Sequence, residues 1–395
     1  MTPDRTKAVV AAVAVALALA AVLVATPAPG PGPEDRQGRT DGRWLELGPG
    51  LDSAGFARAD SVRDYRLPRD HGPHFDYQTE WWYYTGHLAA DDGRRFGFQL
   101  TFFRRGLSPG PPPGGPGLAT NQVYFAHLAV TDVAGGRHVF AERWARGADV
   151  LAGARAEPFA VWLEDWRVEA TSPDGGSVRL VARDGPLALD LDLVSRKPLV
   201  RHGHGGLSPK SDEPGNASHY IGYTRLSARG SVTSGGRDTL VSGEAWFDHE
   251  WSTSALGAGA VGWDWFSLQL DDGRELMYFQ IRREDGSIEG VSGGTLVAPD
   301  GATRRLAAPD LSLSVLARWT SPETGAIYPA RWRLRVPGEG LDLLVEPWVA
   351  GQEMRTSFVY WEGAVRVSGT RHRRPVSGHG YVELTGYAGS MQGVF

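Results

Sequence analysis

Glu80–Leu88 reads EWWYYTGHL, Asp91-Asp92-Gly93 follows, and Arg95–Arg104 reads RFGFQLTFFR. Aromatic, strand-favouring residues on both sides of an Asp-Asp-Gly turn are the signature of a β-hairpin. The second half repeats this pattern with Trp263–Leu270 (WDWFSLQL), Asp271-Asp272-Gly273, then Arg274–Arg283 (RELMYFQIRR). Each second arm carries a glutamine, Gln99 or Gln280. Hairpins resemble one another and such a turn is common, so the repeat is faint. It points all the same to two related units.

Outward from these hairpins the chain continues as strands and turns. Asn121–Asp132, Arg137–Ala145, Phe159–Thr171 and Ser177–Asp184 are separated by glycine-rich turns, and Leu187–Val194 (LALDLDLV) alternates apolar with polar. Period-two alternation places one face on a core. Later strand candidates are Gly290–Val297, Leu311–Trp319, Ala330–Val336, Leu341–Pro347, Phe358–Ser368 and Gly378–Thr385. No long stretch of helical period appears beyond the N-terminal apolar run. Many short strands predict an all-β fold, and closing each sheet into a barrel would remove its exposed edges. Two loops interrupt the pattern: Gly106–Thr120, rich in Pro and Gly and read as a lid or rim, and the polar Arg201–Asn216.

The N-terminus is of another kind. Arg5 and Lys7 precede an apolar run from Ala8 to Ala25, the pattern of a secretory signal or an uncleaved membrane anchor over residues 1–28. Residues 29–50 read as a Pro/Gly-rich linker. The expectation is an exported protein of the periplasm or cell envelope.

Composition narrows the function. The chain has 395 residues, 41% hydrophobic, with a net charge of −5 and no cysteine. It has no basic face on which to hold nucleic acid, no thiolate nucleophile and no Cys-based zinc site. Neither a phosphate loop nor a dinucleotide fingerprint stands in a strand–helix setting, so no cofactor is expected. With 14 Trp, 12 Tyr and 14 Phe, the chain suits large apolar pockets.

Chemistry concentrates in Asp248-His249-Glu250-Trp251. On a strand, His249 and Trp251 share one face while Asp248 and Glu250 share the other. Adding water to an isolated alkene needs a proton donor, a ring face to steady the cation and a base to guide the water. Asp264, between Trp263 and Trp265, is a second candidate acid, which an apolar setting would raise. The plainer readings stand beside these. His249 reads equally as a hydrogen-bonded core histidine, the tryptophans as barrel core, Asp264 as a solvated carboxylate, and Glu80 as the partner of an arginine such as Arg104. Gly290–Gly294 fits G-x-S-x-G, yet strand rather than helix follows the serine. His202 and His204 lie in a glycine-rich loop with no fixed third ligand, which favours a surface loop over a metal site.

HFDYQTEWWYYTGHL (His74–Leu88), FAHLAVTD (Phe125–Asp132), GLSPKS (Gly206–Ser211), WFDHEWS (Trp246–Ser252), YWEGAVRVSG (Tyr360–Gly369) and GYVELTGY (Gly380–Tyr387) resemble the carotenoid 1,2-hydratase (CrtC/AttH) family, in that family's order, from about His71 to the C-terminus. The resemblance implies two tandem lipocalin-like antiparallel barrels, over 51–250 and 251–395. It also implies an apolar, isoprenoid- or lipid-like substrate. If the chain is an enzyme, it is then a hydro-lyase or a related isomerase or cyclase. The alternative within the family's range is a non-catalytic lipid carrier acting at a membrane surface or with an ABC transporter. His249 and Trp251 match the family's implicated His and Trp. Tyr278 matches the Tyr of a Tyr-x-Asp pair whose Asp is Gln280 here. An amide is no acid at neutral pH, and Asp264 is the candidate to serve in its stead. The expected site is therefore His249, Trp251, Tyr278, Asp264 and Asp248 at the end of an apolar tube within a barrel, with no metal.

Overall fold

The structure is a computed structural model and describes residues 53–112, 120–253 and 256–393. The signal or anchor segment, the linker and the middle of the Gly106–Thr120 loop lie outside the described residues. Among the described residues, no helix is long and apolar enough to cross a membrane.

Two antiparallel sheets make up the fold. The first holds β1 (Thr79–Ala89), β2 (Arg95–Gly106), β3 (Gln122–Asp132), β4 (Arg137–Arg146), β5 (Ala152–Ala156), β6 (Phe159–Leu163), β7 (Trp166–Ala170), β8 (Ser177–Asp184), β9 (Leu187–Ser195), β10 (Val200–Arg201), β11 (Leu207–Pro209), β12 (Ala217–Ser234) and β13 (Arg237–Ser252). Its strand order is β4-β3-β2-β1-β13-β12-β9-β8-β7-β6-β5. The second holds β14 (Ala260–Leu270), β15 (Glu275–Arg283), β16 (Gly293–Val297), β17 (Thr303–Ala307), β18 (Ser312–Thr320), β19 (Ile327–Val336), β20 (Leu341–Pro347), β21 (Glu353–Arg355), β22 (Val359–Arg371) and β23 (Arg374–Leu384). Its order is β17-β16-β15-β14-β23-β22-β20-β19-β18. In both sheets the first strand pairs with the last, β1 with β13 and β14 with β23. The two hairpins read from the sequence therefore hold equivalent places.

Both Asp-Asp-Gly turns form, with Gly93 at φ +83° and Gly273 at +81°. Nothing crowds a Cβ at Gly93, so the left-handed backbone alone calls for glycine there. Alternation then sorts the side chains. Trp82, Tyr84, Phe98, Leu100, Phe102 and Phe247 fill the concave side of the first sheet, with Leu180, Leu189 and Leu191 from the far strands. Phe266, Leu268, Trp332, Leu334, Leu343 and Val365 fill the second. The two sheets curl as expected of tandem lipocalin-like barrels, but large side chains fill both interiors in place of the expected apolar tube.

The sheets meet by their outer faces. Tyr83, Tyr220 and Trp246 of the first pack with Trp265, Met277, Phe279, Ile281 and Tyr381 of the second. Gly97 on β2 allows the closest approach: a Cβ there would lie 2.5 Å from the Cβ of Ala364 on β22. Around this contact the two faces diverge, and the space between them is the cavity described next.

Candidate functional site

The cavity is walled by apolar side chains from both sheets: Trp81, Tyr83 and Phe103 from the first, and Trp263, Trp265, Phe279 and Ile281 from the second, with Leu256 and Met391 at connecting segments. Into this apolar setting come four carboxyl side chains, Asp248, Glu250, Glu362 and Glu383. Such a lining, mostly hydrophobic with a few converging polar groups, is that of a small-molecule site.

Strand pairing sets the acids in place. Asp248 on β13 sits opposite Gly222 on β12, where a Cβ would come within 2.6 Å of the carboxylate, so glycine makes room for it. Its oxygens accept from Tyr220 Oη at 2.6 Å and Trp246 Nε1 at 2.8 Å. Trp265 Nε1 in turn donates to Tyr220 Oη at 3.1 Å. Glu362 on β22 accepts from Tyr83 Oη at 2.6 Å, and its other oxygen, Oε2, is buried without a partner. Glu383 on β23 accepts from Trp263 Nε1 at 3.2 Å. Glu250 is paired with Lys210 at 2.8 Å and also accepts from Ser218.

Burial in low dielectric disfavours the charged form of an acid that lacks a cationic partner. Burial pushes Asp248 well above the usual carboxylate range despite its two donors. It does the same to Glu362, helped by the neighbouring Glu383. Glu383 itself is pushed up to about 7 by burial, against the Trp263 hydrogen bond and with Glu250 adding to the rise. Burial thus favours the protonated form of Asp248 and of Glu362, the form able to give up a proton.

A hydrogen-bonded chain leads away from the same cavity. Tyr360, on its wall, lies with Oη 2.7 Å from His127 Nδ1 on β3. His127 Nε2 lies 3.0 Å from Glu142 Oε1 on β4, and Ser357 holds that carboxylate through its backbone N–H and its hydroxyl. The chain crosses from the second sheet to the first and ends near the rim.

A family model described as AttH-like matches residues 58–387. This chain belongs to the AttH-like family. A Nitrosomonas europaea protein assigned to AttH has a crystal structure that superposes with a TM-score of 0.74 at 33% identity, covering 84% of this chain and 100% of that one. Kievitone hydratase of Fusarium solani subsp. phaseoli is 26% identical over 217 residues, which span 52% of this chain and 59% of the relative. The matched stretch thus covers little more than half of that relative's length. The crystal structure of kievitone hydratase from Nectria haematococca has a TM-score of 0.65 at 15% identity, covering 86% of this chain and 97% of that one, a likeness of fold.

This AttH-like chain divides the five residues expected to act together among three places. Asp248 alone lines the inter-sheet cavity. His249 and Trp251 point to the opposite side of β13. There His249 Nε2 lies 2.9 Å from Glu80 Oε1, its ring 5.0 Å from Trp82, and Trp251 stacks on His74 at 3.7 Å. Glu80 also accepts from Arg104 Nε at 2.8 Å, the pairing foreseen as the plainer reading. Burial alone would raise Glu80, but Arg104, His74 and His249 together hold it well below the usual range. His74, Glu80 and His249 bring ligand-type atoms within 4.8 Å of one another. Glu80 already answers Arg104, and Asp70, beside His74, answers Arg63 at 3.0 Å. These charges are matched without a metal ion.

Tyr278 and Asp264 lie within the second sheet. Tyr278 Oη donates to Gln280 Oε1 at 3.0 Å, and Gln280 Nε2 donates to Asp264 at 2.7 Å. Arg282 and Tyr387 also donate to Asp264, at 2.9 and 3.0 Å. Burial still raises it above its ordinary value. Gln280 thus ties the Tyr to the acid.

The surface-loop reading of His202 needs correction. His202 is fully buried rather than on a surface loop: Nδ1 meets Thr295 Oγ1 at 3.1 Å, and burial lowers its pKa to about 3. Ser292 of the G-x-S-x-G stretch is buried and accepts from the Ile281 backbone N–H. Reading from the sequence missed Glu362, Glu383, Tyr360 and His127. All four sat inside blocks quoted for their resemblance, YWEGAVRVSG, GYVELTGY and FAHLAVTD, where a lone Glu or His in an apolar strand was the available signal.

Proposed function

We propose that this protein is an acid–base hydratase that adds water to a C=C bond of an apolar, isoprenoid- or lipid-like substrate held between the two sheets. The observation that carries the reading is Glu362: fully buried at an aromatic cavity, its proton affinity raised by burial, with Oε2 lacking a hydrogen-bond partner. A neutral carboxyl group whose Oε1 accepts from Tyr83 carries its proton on Oε2, facing the substrate.

The steps balance. The Glu362 O–H bond breaks and its proton adds to one alkene carbon, leaving a carbocation beside a carboxylate. The indole faces of Trp81, Trp263 and Trp265 steady the cation at about 0.5–2 kcal/mol each. Water attacks the cation and loses a proton to Tyr360 Oη, as Tyr360 passes its own proton to His127 Nδ1. Glu142, held below its ordinary pKa by its bonds to His127 and Ser357 against the cost of burial, faces the resulting imidazolium. Return of that proton through Tyr360 resets Glu362, two residues along the same face of β22. The apolar walls keep stray water from the cation. The name of the kievitone hydratase relative supports hydration, and the apolar run Ala8–Ala25 supports an exported protein.

The test is incubation of the purified protein with kievitone and with an unsaturated isoprenoid hydrocarbon, read by mass spectrometry. A product heavier by one water, lost in Glu362→Gln, is expected. Substrate that binds and returns unchanged would overturn hydration and favour the lipid-carrier alternative.

A further inference from the structure

The cavity is short of positive charge. Among the described residues, Glu250 alone of the four acids forms an ion pair, with Lys210, whose charge also acts at longer range on Asp248. Asp248, Glu362 and Glu383 are met by uncharged donors from Tyr220, Trp246, Tyr83 and Trp263. His202 lies 3.8 Å from Asp248, but with its pKa at about 3 it brings no charge at neutral pH. Glu362 lines the cavity from β22, and its Oε2 is buried with no hydrogen-bond partner among the described residues.

An unpaired buried acid has two remedies: a proton, or a cation brought in by a ligand. The walls decide which cation fits. Indole and phenyl faces offer no oxygen ligands to replace the water of a small inorganic ion, but they attract the diffuse charge of an alkylated ammonium. We propose that the inter-sheet cavity binds hydrophobic organic cations, with a tertiary or quaternary ammonium group seated between the tryptophan faces and the carboxyl groups of Glu362 and Glu383.

The proposal deepens the hydratase reading, since an ammonium beside these carboxylates resembles the carbocation that reading requires. Binding itself needs no turnover. Glu383, titrating at about 7, is ionised in mild alkali and supplies the first negative charge. The charged and titratable groups of the same lining are Glu250 and Asp248 from β13, Glu362 and Tyr360 from β22, Tyr83 from β1, Tyr220 from β12 and Lys210. Only the last is cationic, and it is engaged by Glu250.

Benzyltrimethylammonium and neopentylbenzene have the same shape and differ in charge. Each is titrated into the full-length protein at about pH 8, with tryptophan fluorescence as the readout. The cation should bind at least about tenfold more tightly than the hydrocarbon. In a Glu362→Gln/Glu383→Gln double variant, or in Glu383→Gln alone should the double variant not fold, the preference should fall at least about threefold. Equal affinities, no binding of the cation, or a preference that survives loss of the acids would overturn the proposal. Hydration without a preference for the cation sinks this proposal alone, and preference without hydration sinks only the hydratase reading.

Discussion

Asp248 and His249 are neighbours in the chain, yet their side chains serve different halves of the molecule. Asp248 enters the inter-sheet cavity, while His249 bonds Glu80 at 2.9 Å on the concave side of the first sheet. One residue's step along β13 separates a cavity-lining acid from a buried ion cluster.

His249→Ala should therefore act on stability. It removes a buried ring packed on Trp82 and a hydrogen bond to an ionised carboxylate, at a cost of about 2–4 kcal/mol. Urea denaturation measures it; an unchanged midpoint would contradict this placement.

The Glu80–Arg104 pair sets an acid limit. Glu80 has its folded pKa depressed, so it contributes stability above the ordinary carboxylate pKa and loses it as pH falls through the folded value. Arg104→Met should cost about 3–5 kcal/mol at neutral pH by stranding the buried carboxylate. The loss should shrink in acid, where the stranded group protonates. Thermal melts across an acid pH series would show the two curves converging.

Glu383 runs the other way. Its folded pKa is raised to about 7, so the fold is favoured while it is protonated and weakened as pH climbs from the unfolded value through 7. Glu383→Gln should leave stability at about pH 4 unchanged and raise it at about pH 8 by about 3 kcal/mol. A variant no more stable than the parent in alkali would remove the case for a raised pKa.

Tyr360→Phe and His127→Gln should each lower hydration about 10²–10⁴-fold while leaving substrate affinity near the parent value. Equal rates for parent and variants would take these residues out of the water-activating step.

Gly97→Val should force the two sheets apart at Ala364, costing about 1–3 kcal/mol and weakening binding in the cavity beside it. Paired melts and titrations of a cavity ligand test both halves of that expectation.

The hairpins, their turns and most strands of the second sheet were legible because alternation and Asp-Asp-Gly spacing are local signals. β12, an 18-residue strand, was not: Gly222, Gly230 and its scattered polar residues break the alternation, and the stretch carried no strand signal. The glycines serve partners distant in sequence, Gly222 clearing Asp248 and Gly230 lying against Asp190. The site was harder. Alternation correctly put Asp248 and His249 on opposite faces, but it cannot say which face meets the other sheet. The tryptophans and acids that wall the cavity come from strands of both sheets, and only the packing of those sheets brings them together.

The pairing of β1 with β13 joins Thr79 to Ser252. A nascent chain must hold EWWYYTGHL with one flank unzipped until the whole of the first sheet has emerged from the ribosome. Assembly should be slow compared with that of a helical protein of this size, since the decisive contact spans so much sequence. That greasy, half-docked ribbon is the segment most exposed to clumping in the interval, and a holding factor during synthesis would do most good there.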